Sequence, residues 1–515
     1  MAIRTVKGRG MPCTQEKWDQ SLVRLGLSHW TRLREEQAFT LQMQDPEVQY
    51  RATNAHSKME VIVIGAGLGG LAAAISCAQN GLSVQVLERA PEFLPVRSIS
   101  RPFDVSLYHQ IGAGIQIPPN GVRALKYLKL EEKIQETGAV ALNAINLRDY
   151  PDGTLLLRRP GGEAVTKDYG SPWLVIHRAD YHSVLLEGAR RLGVQVRLGC
   201  DVARVEFTPG RPRVCTKSGD ILETDVVVGA DGLWSTTRSL LLEGASPPTP
   251  TGDMAYRATF TAEQLQSLED ERLKKLLDQP EVNLWMGPNA HAVLYPLKGR
   301  KVYNLVLLCP DTLPPGFNTI EGDVEEMKAA FRGWDPTLTV ILGLITKVLK
   351  WRLCHHDELV RWVKGNVVII GDASHPTLPY QAQGAAMAVE DGAVLGHLLG
   401  KIKNEFWRSE TSAKEPINAV LELFEHVRKH RTTINVQGAV DNRRLFHMVE
   451  GPDRDRRSHV MQMTDWKTQT LTDFSWNDLE YQSAMLGFDV IADADRAFEA
   501  MGEHNLAPGD EFSKL

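Results

Sequence analysis

"VIVIGAGLGGLAAAISCAQNGLSVQVLER", residues 61 to 89, decides how the rest of the chain is read. Four β-formers, Val61 to Ile64, run into Gly65-x-Gly67-x-x-Gly70, a helix-like stretch of small residues follows, and a second apolar run closes on Glu88. In a strand–turn–helix–strand unit the first glycine permits the sharp turn. The second lets the backbone approach a pyrophosphate, and the third lets the helix pack on the strand. The ligand's charge then rests on the helix N-terminus. Glu88 falls 18 residues after Gly70, where a carboxylate can accept the ribose hydroxyls of an adenosine. The spacing predicts a dinucleotide site over a ligand-free strand–helix turn, and by itself it does not separate FAD from NAD.

Two further glycine-acid stretches lie far along the chain. In "TDVVVGADGLWSTTR" (224–238) a strand ends at Gly229 and Asp231-Gly232 follow. In "VVIIGDASHPTLPYQAQGAAMAVEDG" (367–392) a strand leads to Asp372, a Pro-rich loop, and a helix entered near Gly384-Ala385. A carboxylate at the mouth of a buried strand costs free energy unless something hydrogen-bonds it. A helix N-terminus offers free N–H groups and a partial positive charge. Both fit a flavin, with Asp372 holding a ribityl hydroxyl and the helix end facing the ring edge that becomes negative on reduction. A simple helix cap explains any one of these stretches alone, but three in one chain point to one ligand.

The bulk properties bound the alternatives. A chain of 515 residues suggests two domains. A hydrophobic fraction of 43% with 24% charged residues is ordinary for a globular enzyme. A net charge of −6 offers no basic face for nucleic acid. No window supplies the ~18 uninterrupted apolar residues that a membrane span needs, and no secretory signal opens the chain. Six scattered cysteines without a CxxC pair suggest neither zinc nor a disulfide framework. "CHHDEL" (354–359) places its side chains consecutively rather than convergently, so no metal is expected. The expectation is a soluble intracellular protein. It has an N-terminal extension over 1–58 and an FAD-binding domain from 59–250 and 356–440. A substrate domain covers 251–355, and a C-terminal helical tail covers 441–515.

From about Val61 to Val440 the chain resembles the single-component (class A) flavoprotein aromatic hydroxylases, closest to the salicylate hydroxylase and 6-hydroxynicotinate 3-monooxygenase type. The likeness rests on "GAGLGG", "IGAGIQIPPNGVRAL", "IHRADYHSVLL", "VVVGADG" and "GDASHPTLPYQAQGAAMAVEDG". It implies an α/β fold: a Rossmann-like FAD-binding domain with an inserted β-sheet substrate domain and C-terminal helices. It also implies that Glu88 binds the AMP ribose, and that Ala113 of "IGAGIQI" and Arg178 of "HRAD" contact FAD. Asp372 would bind the ribityl chain, the Ala385 backbone would lie at the ring, and Asp231 would serve FAD and NAD(P)H. Two features depart from the family: residues 1–58, and the long stretch around 95–110 between Glu88 and "IGAGIQI".

The resemblance further implies that NADH or NADPH reduces FAD, visiting transiently since no second GxGxxG is present. An oxygen atom from dioxygen is then delivered to an electron-rich ring. The ring is activated by ionising its hydroxyl, a task for His or Tyr. In "HAVLYPL", His291 and Tyr295 are four apart and share a strand face. By resemblance they hold and deprotonate the hydroxyl, with His375 on the flavin-facing side. Arg257 is a candidate for a substrate carboxylate or phenolate. The expected substrate is a small hydroxylated aromatic or pyridine carboxylic acid, such as salicylate or 6-hydroxynicotinate, hydroxylated with or without decarboxylation. The alternatives are a hydroxylase or epoxidase of a larger polyketide or isoprenoid, and a non-catalytic flavin-binding protein. Ser513-Lys514-Leu515 reads as an address for the peroxisomal import receptor.

Overall fold

The apolar run Glu60–Ile64 becomes the centre of a six-stranded sheet. It pairs in parallel with Ser83–Leu87 on one side and Val226–Gly229 on the other. Parallel pairing continues outward to Gln195–Arg197 and to Val367–Ile369, and the short Val363–Lys364 closes the edge antiparallel. Strands 226–229 and 367–369 are buried along their whole length, as continuous apolar runs in a covered parallel sheet should be. All three glycine-acid loops therefore leave neighbouring strands at the same end. Helix Gly384–Glu405 lies against helix Leu68–Gln79. A Cβ at Gly392 would stand 2.4 Å from the Ala73 nitrogen, and one at Gly396 2.4 Å from the Cys77 nitrogen. This glycine ridge permits the close helix contact.

A second, eight-stranded sheet runs Thr319–Gly322, Val348–His355, Thr249–Thr261, Val302–Pro310, Ala290–Leu297, Glu281–Gly287, Ala144–Asp149, Leu155–Pro160. Its faces follow the two-residue alternation of strands. Tyr256, Ala258, Ala292, Leu294, Leu305 and Leu307 point to one side and bury against Met327, Phe331, Trp334 and Leu338. The other side carries Arg257, His291, Val293, Tyr295, Asn304, Val306 and Leu308 towards the first sheet's loops. The sheet is wider than the expected 251–355, because the hairpin 144–160 from the preceding segment extends its edge by pairing with 281–287.

The structure, a computed structural model, describes residues 58–93, 114–208, 210–405, 414–466, 476 and 478–506. Residues 58–494 form one compact unit. Residues 1–57 of the expected extension over 1–58, the insert around 95–110, Ala113 and Ser513-Lys514-Leu515 lie outside the described residues. Helix Lys414–Phe446 runs through the expected boundary at 440. Among the described residues no helix is long and apolar enough to cross a membrane.

Candidate active site

Gly65 takes φ +102°, and a Cβ there would stand 2.5 Å from the Ala230 carbonyl oxygen. At Gly70 a Cβ would meet the Gly65 carbonyl oxygen at 2.1 Å, whereas at Gly67 it would meet nothing within 4 Å. The turn is thus closed behind and open in front. Gly67 caps helix 68–79 without a side-chain bond, so the first-turn N–H groups are available to an anion. Beside them, Glu88 accepts from the Ala66 N–H (2.8 Å) and the Ala90 N–H (2.9 Å). Each carboxylate oxygen keeps a further lone pair for a sugar hydroxyl.

The glycine turn opens into a cavity of about 440 Å³. Gly67, Gly70, Asp372 and Ala385 line it from the first sheet's loops, Arg178 from the helix Arg178–Arg191, and Arg257, His291, Tyr295 and Asn304 from the second sheet. Asp372 sits in the short turn Gly371–Ala373 with its side chain open to the cavity, and no described residue donates a hydrogen bond to its carboxylate. The surrounding protein desolvates it and pushes its acid up, against the pull of His375 and Arg178. Gly384 and Ala385, at the start of a 22-residue helix, face the same space. Phosphate-binding N–H groups, a ribose acceptor, a bare carboxylate and a helix N-terminus fit the successive parts of FAD.

The sheet above presents a different chemistry. Burial pushes the Tyr295 hydroxyl up from its ordinary value, partly countered by Arg257. That hydroxyl lies so close to Gly114 that a Cβ there would stand 2.4 Å from it. The Arg257 guanidinium rests over the Trp351 ring at 5.1 Å, and its Nε is buried without a hydrogen-bond partner. Burial lowers its affinity for the proton while Tyr295 raises it. Asn304, the cross-strand neighbour of Tyr295, is 1% exposed, with both amide atoms unpartnered. An unpaired buried amide costs about 1–3 kcal/mol. Burial, with His447 beside it, holds His291 well below the usual imidazole range, so the ring is neutral.

Two assignments are corrected. His375 does not line the cavity. Its Nε2 is 2.6 Å from Asp391 Oδ2, and the ring packs beside Trp362. Asp391 also accepts from the Gly371 N–H (2.9 Å) and Arg428 Nε (2.7 Å). His375 therefore locks the flavin loop to the helices instead of facing the ring. The Asp231 carboxylate accepts from Ser235 Oγ (2.5 Å), the Thr237 N–H (3.0 Å) and Thr237 Oγ1 (3.1 Å). Its side chain fixes its own loop, and the neighbouring Ala230 and Gly232 reach the cavity.

Residues 58–411 match the family model described as an FAD binding domain. The chain belongs to the FAD-dependent monooxygenases. It is 38% identical over 444 residues to an FAD-dependent monooxygenase of Beauveria bassiana, covering 85% of this chain and 97% of the relative. It is 33% identical over 413 residues to a 3-hydroxybenzoate 6-hydroxylase of Polaromonas naphthalenivorans, covering 80% and 92%. A salicylate hydroxylase solved with substrate shares the fold, at a TM-score of 0.67 and 22% identity over 86% of this chain and 98% of that one.

Sequence reasoning missed three residues of this monooxygenase. Arg238, the last residue of "VVVGADGLWSTTR", is fully buried and donates to the carbonyls of Leu233 (2.7 Å), Ser246 (3.0 Å) and Ala373 (3.2 Å). It ties the second glycine-acid loop to the third. An arginine closing the strand–turn motif was the available signal. Asn304 interrupts the apolar strand "KVYNLVLL" and was visible as a polar residue in a buried run. His447 had no local signal.

Proposed function

We propose that this monooxygenase hydroxylates a small hydroxylated aromatic or pyridine carboxylic acid, with NADH or NADPH as electron donor and dioxygen as oxygen source. Where the attacked carbon bears the carboxylate, carbon dioxide leaves. The observation that carries this reading is Arg257, a cation that faces the cavity with a buried, unpartnered Nε and, among the described residues, no acidic partner. A substrate carboxylate would complete it with a charge-assisted pair. FAD, when bound, supplies the electron transfer and the oxygen transfer.

This chain's residues hold the ring beneath the sheet. Tyr295 stays protonated and donates to the ring oxygen, while the neutral His291 accepts the proton of the ring hydroxyl. Asn304 offers one donor and one acceptor to a second polar group on the ring. Val293, Val306 and Leu308 give the ring an apolar wall and keep water away from it. The relative named for hydroxylating 3-hydroxybenzoate supports a benzoate-sized acid.

The purified protein should carry flavin absorbance. NADH or NADPH oxidation should be stimulated by salicylate or 6-hydroxynicotinate, with a hydroxylated product detected. Flavin uptake without stimulation by any aromatic acid would overturn the substrate assignment. The peroxisome is proposed as the place of action on Ser513-Lys514-Leu515 alone. An N-terminal fluorescent fusion should give puncta that become diffuse when Leu515 is deleted.

A further inference from the structure

His291 is joined to a chain of polar groups that leads away from the cavity. Its Nδ1 lies 2.7 Å from Nε2 of His447, which follows helix 414–446. Nδ1 of His447 faces Asp253 Oδ2 at 4.0 Å. Asp253, at the start of the sheet's longest strand, is buried and clasped by Arg443 (Nη2 to Oδ1 2.6 Å) and by the Tyr380 hydroxyl. Tyr380 and Phe446 pack against the His291 ring at 5.1 and 5.3 Å. These residues come from four separate segments, and nothing in the fold requires two buried imidazoles in hydrogen-bonding contact.

We propose that Asp253 and His447 form a positioning relay that sets His291 as a proton acceptor towards the cavity and carries charge away from the bound ring; the inference rests on the function proposed above. The carboxylate of Asp253 favours a proton on Nδ1 of His447, which leaves Nε2 of His447 as a lone pair. That lone pair accepts from Nδ1–H of His291, so Nε2 of His291 is bare where the residue lines the cavity. This is the logic by which a carboxylate fixes an imidazole tautomer, extended by one ring.

In the step itself the O–H bond of the ring hydroxyl breaks, and its proton forms an N–H bond on Nε2 of His291. The proton on Nδ1 of His291 passes to Nε2 of His447. The electron pair stays on the ring oxygen, and the positive charge ends on His447, next to Asp253. Both imidazoles begin neutral. Burial depresses His447 to about 4, with Arg443 adding to the effect and Asp253 opposing it. The pair therefore rests without an added proton, and the charge that the step leaves on His447 is opposed by burial and offset by Asp253 and by the anion formed on the ring. Tyr295, Arg257, Arg178 and Asp372 are the other titratable groups lining the cavity, and Arg443 and Tyr380 are those packed against the relay.

The test uses the FAD-loaded, oxidised enzyme without turnover, and a hydroxynitrobenzoic acid whose phenolate absorbs in the visible. Titrated against pH, the acid bound to wild-type enzyme should ionise at a proton concentration at least tenfold higher than free acid. His447→Asn and Asp253→Asn should each lose most of that tenfold shift while retaining FAD. His291→Asn combined with His447→Asn should lose no more than His291→Asn alone. Where His447→Asn does not fold, His447→Gln takes its place. A wild-type shift retained in the His447 and Asp253 variants, but lost in His291→Asn, overturns the relay alone. A wild-type enzyme that takes up FAD and binds no phenol overturns the functional reading and the relay with it.

Discussion

Below the cavity, the carboxylates of the flavin loops are held inside the protein: Glu88 by two backbone N–H groups, Asp231 by Ser235 and Thr237, Asp391 by His375, Arg428 and Gly371. Above it, the sheet face leaves Arg257 and Asn304 with buried atoms that have no partner. The contrast lies in side-chain satisfaction. Groups whose bonds close within the chain fix geometry, and cavity-lining groups left open mark bonds that a ligand can supply; His375 Nδ1 and Arg428 Nη1, away from the cavity, also lack a partner. Asp372 is the telling exception on the lower wall. Among the described residues nothing donates a hydrogen bond to its carboxylate, which lines the cavity.

The largest effect should come from breaking a closed group. Asp391→Ala removes the partner of His375 and of Arg428 Nε in the core, leaving Arg428 only Glu390 as an acidic partner, and should cost about 3 kcal/mol in thermal or denaturant unfolding. Burial alone would raise the Asp391 acid, but His375 and Arg428 outweigh it and hold it down to about 2, below the ordinary 3.8. Glu390 is held to about 2 in the same way, against its own burial, by Arg431 and Arg428. Folded values below the unfolded ones mean that this stability is present in full above about pH 5 and is lost as the pH falls towards 2. Melting temperature should fall steeply through that window in the wild type and less steeply in Asp391→Asn. An acid profile unchanged by the substitution would break the assignment of Asp391 to the scaffold.

Opening the comparison from the other wall should give a smaller effect of opposite sign. Asn304→Leu removes two unsatisfied amide atoms from the apolar strand and should raise stability by about 1 kcal/mol. The same change should lower kcat/KM for the hydroxylated acid about tenfold. Loss of stability in Asn304→Leu would mean that the amide is satisfied within the protein and belongs with the scaffold.

The lower wall was legible in the sequence because its signals are local. "GAGLGG", "GADG" and "GDASHP" each fall within one strand–turn–helix unit, where glycine sterics and an acid at fixed spacing carry the meaning. His291 and Tyr295 were legible for a similar reason: strand alternation puts them on one face. The upper wall's remaining groups were not. Asn304 gains its place from pairing with Tyr295 across strands, and His447 lies 156 residues from His291. His375 was misplaced because adjacency to Asp372 in sequence says nothing about which way a side chain leaves a tight turn. Here the ring turns back to Asp391, sixteen residues on. The hairpin 144–160 escaped because a parallel edge pairing with 281–287 leaves no mark in either strand.

The central claim, that the open cation above the flavin site exists to take a substrate carboxylate, can be tested by binding. Perturbation of the bound flavin's absorbance would be titrated with a hydroxybenzoic acid and with the matching phenol that lacks the carboxylate. Wild-type enzyme and Arg257→Met, the latter checked for FAD content and melting temperature, would be compared. A charge-assisted pair is worth about 1.5–3 kcal/mol, so the wild type should prefer the acid by at least tenfold. In Arg257→Met the acid and the phenol should bind alike, with melting temperature unchanged or higher. An equal affinity for the two ligands in the wild type, or a preference for the acid that survives in Arg257→Met, would contradict the account.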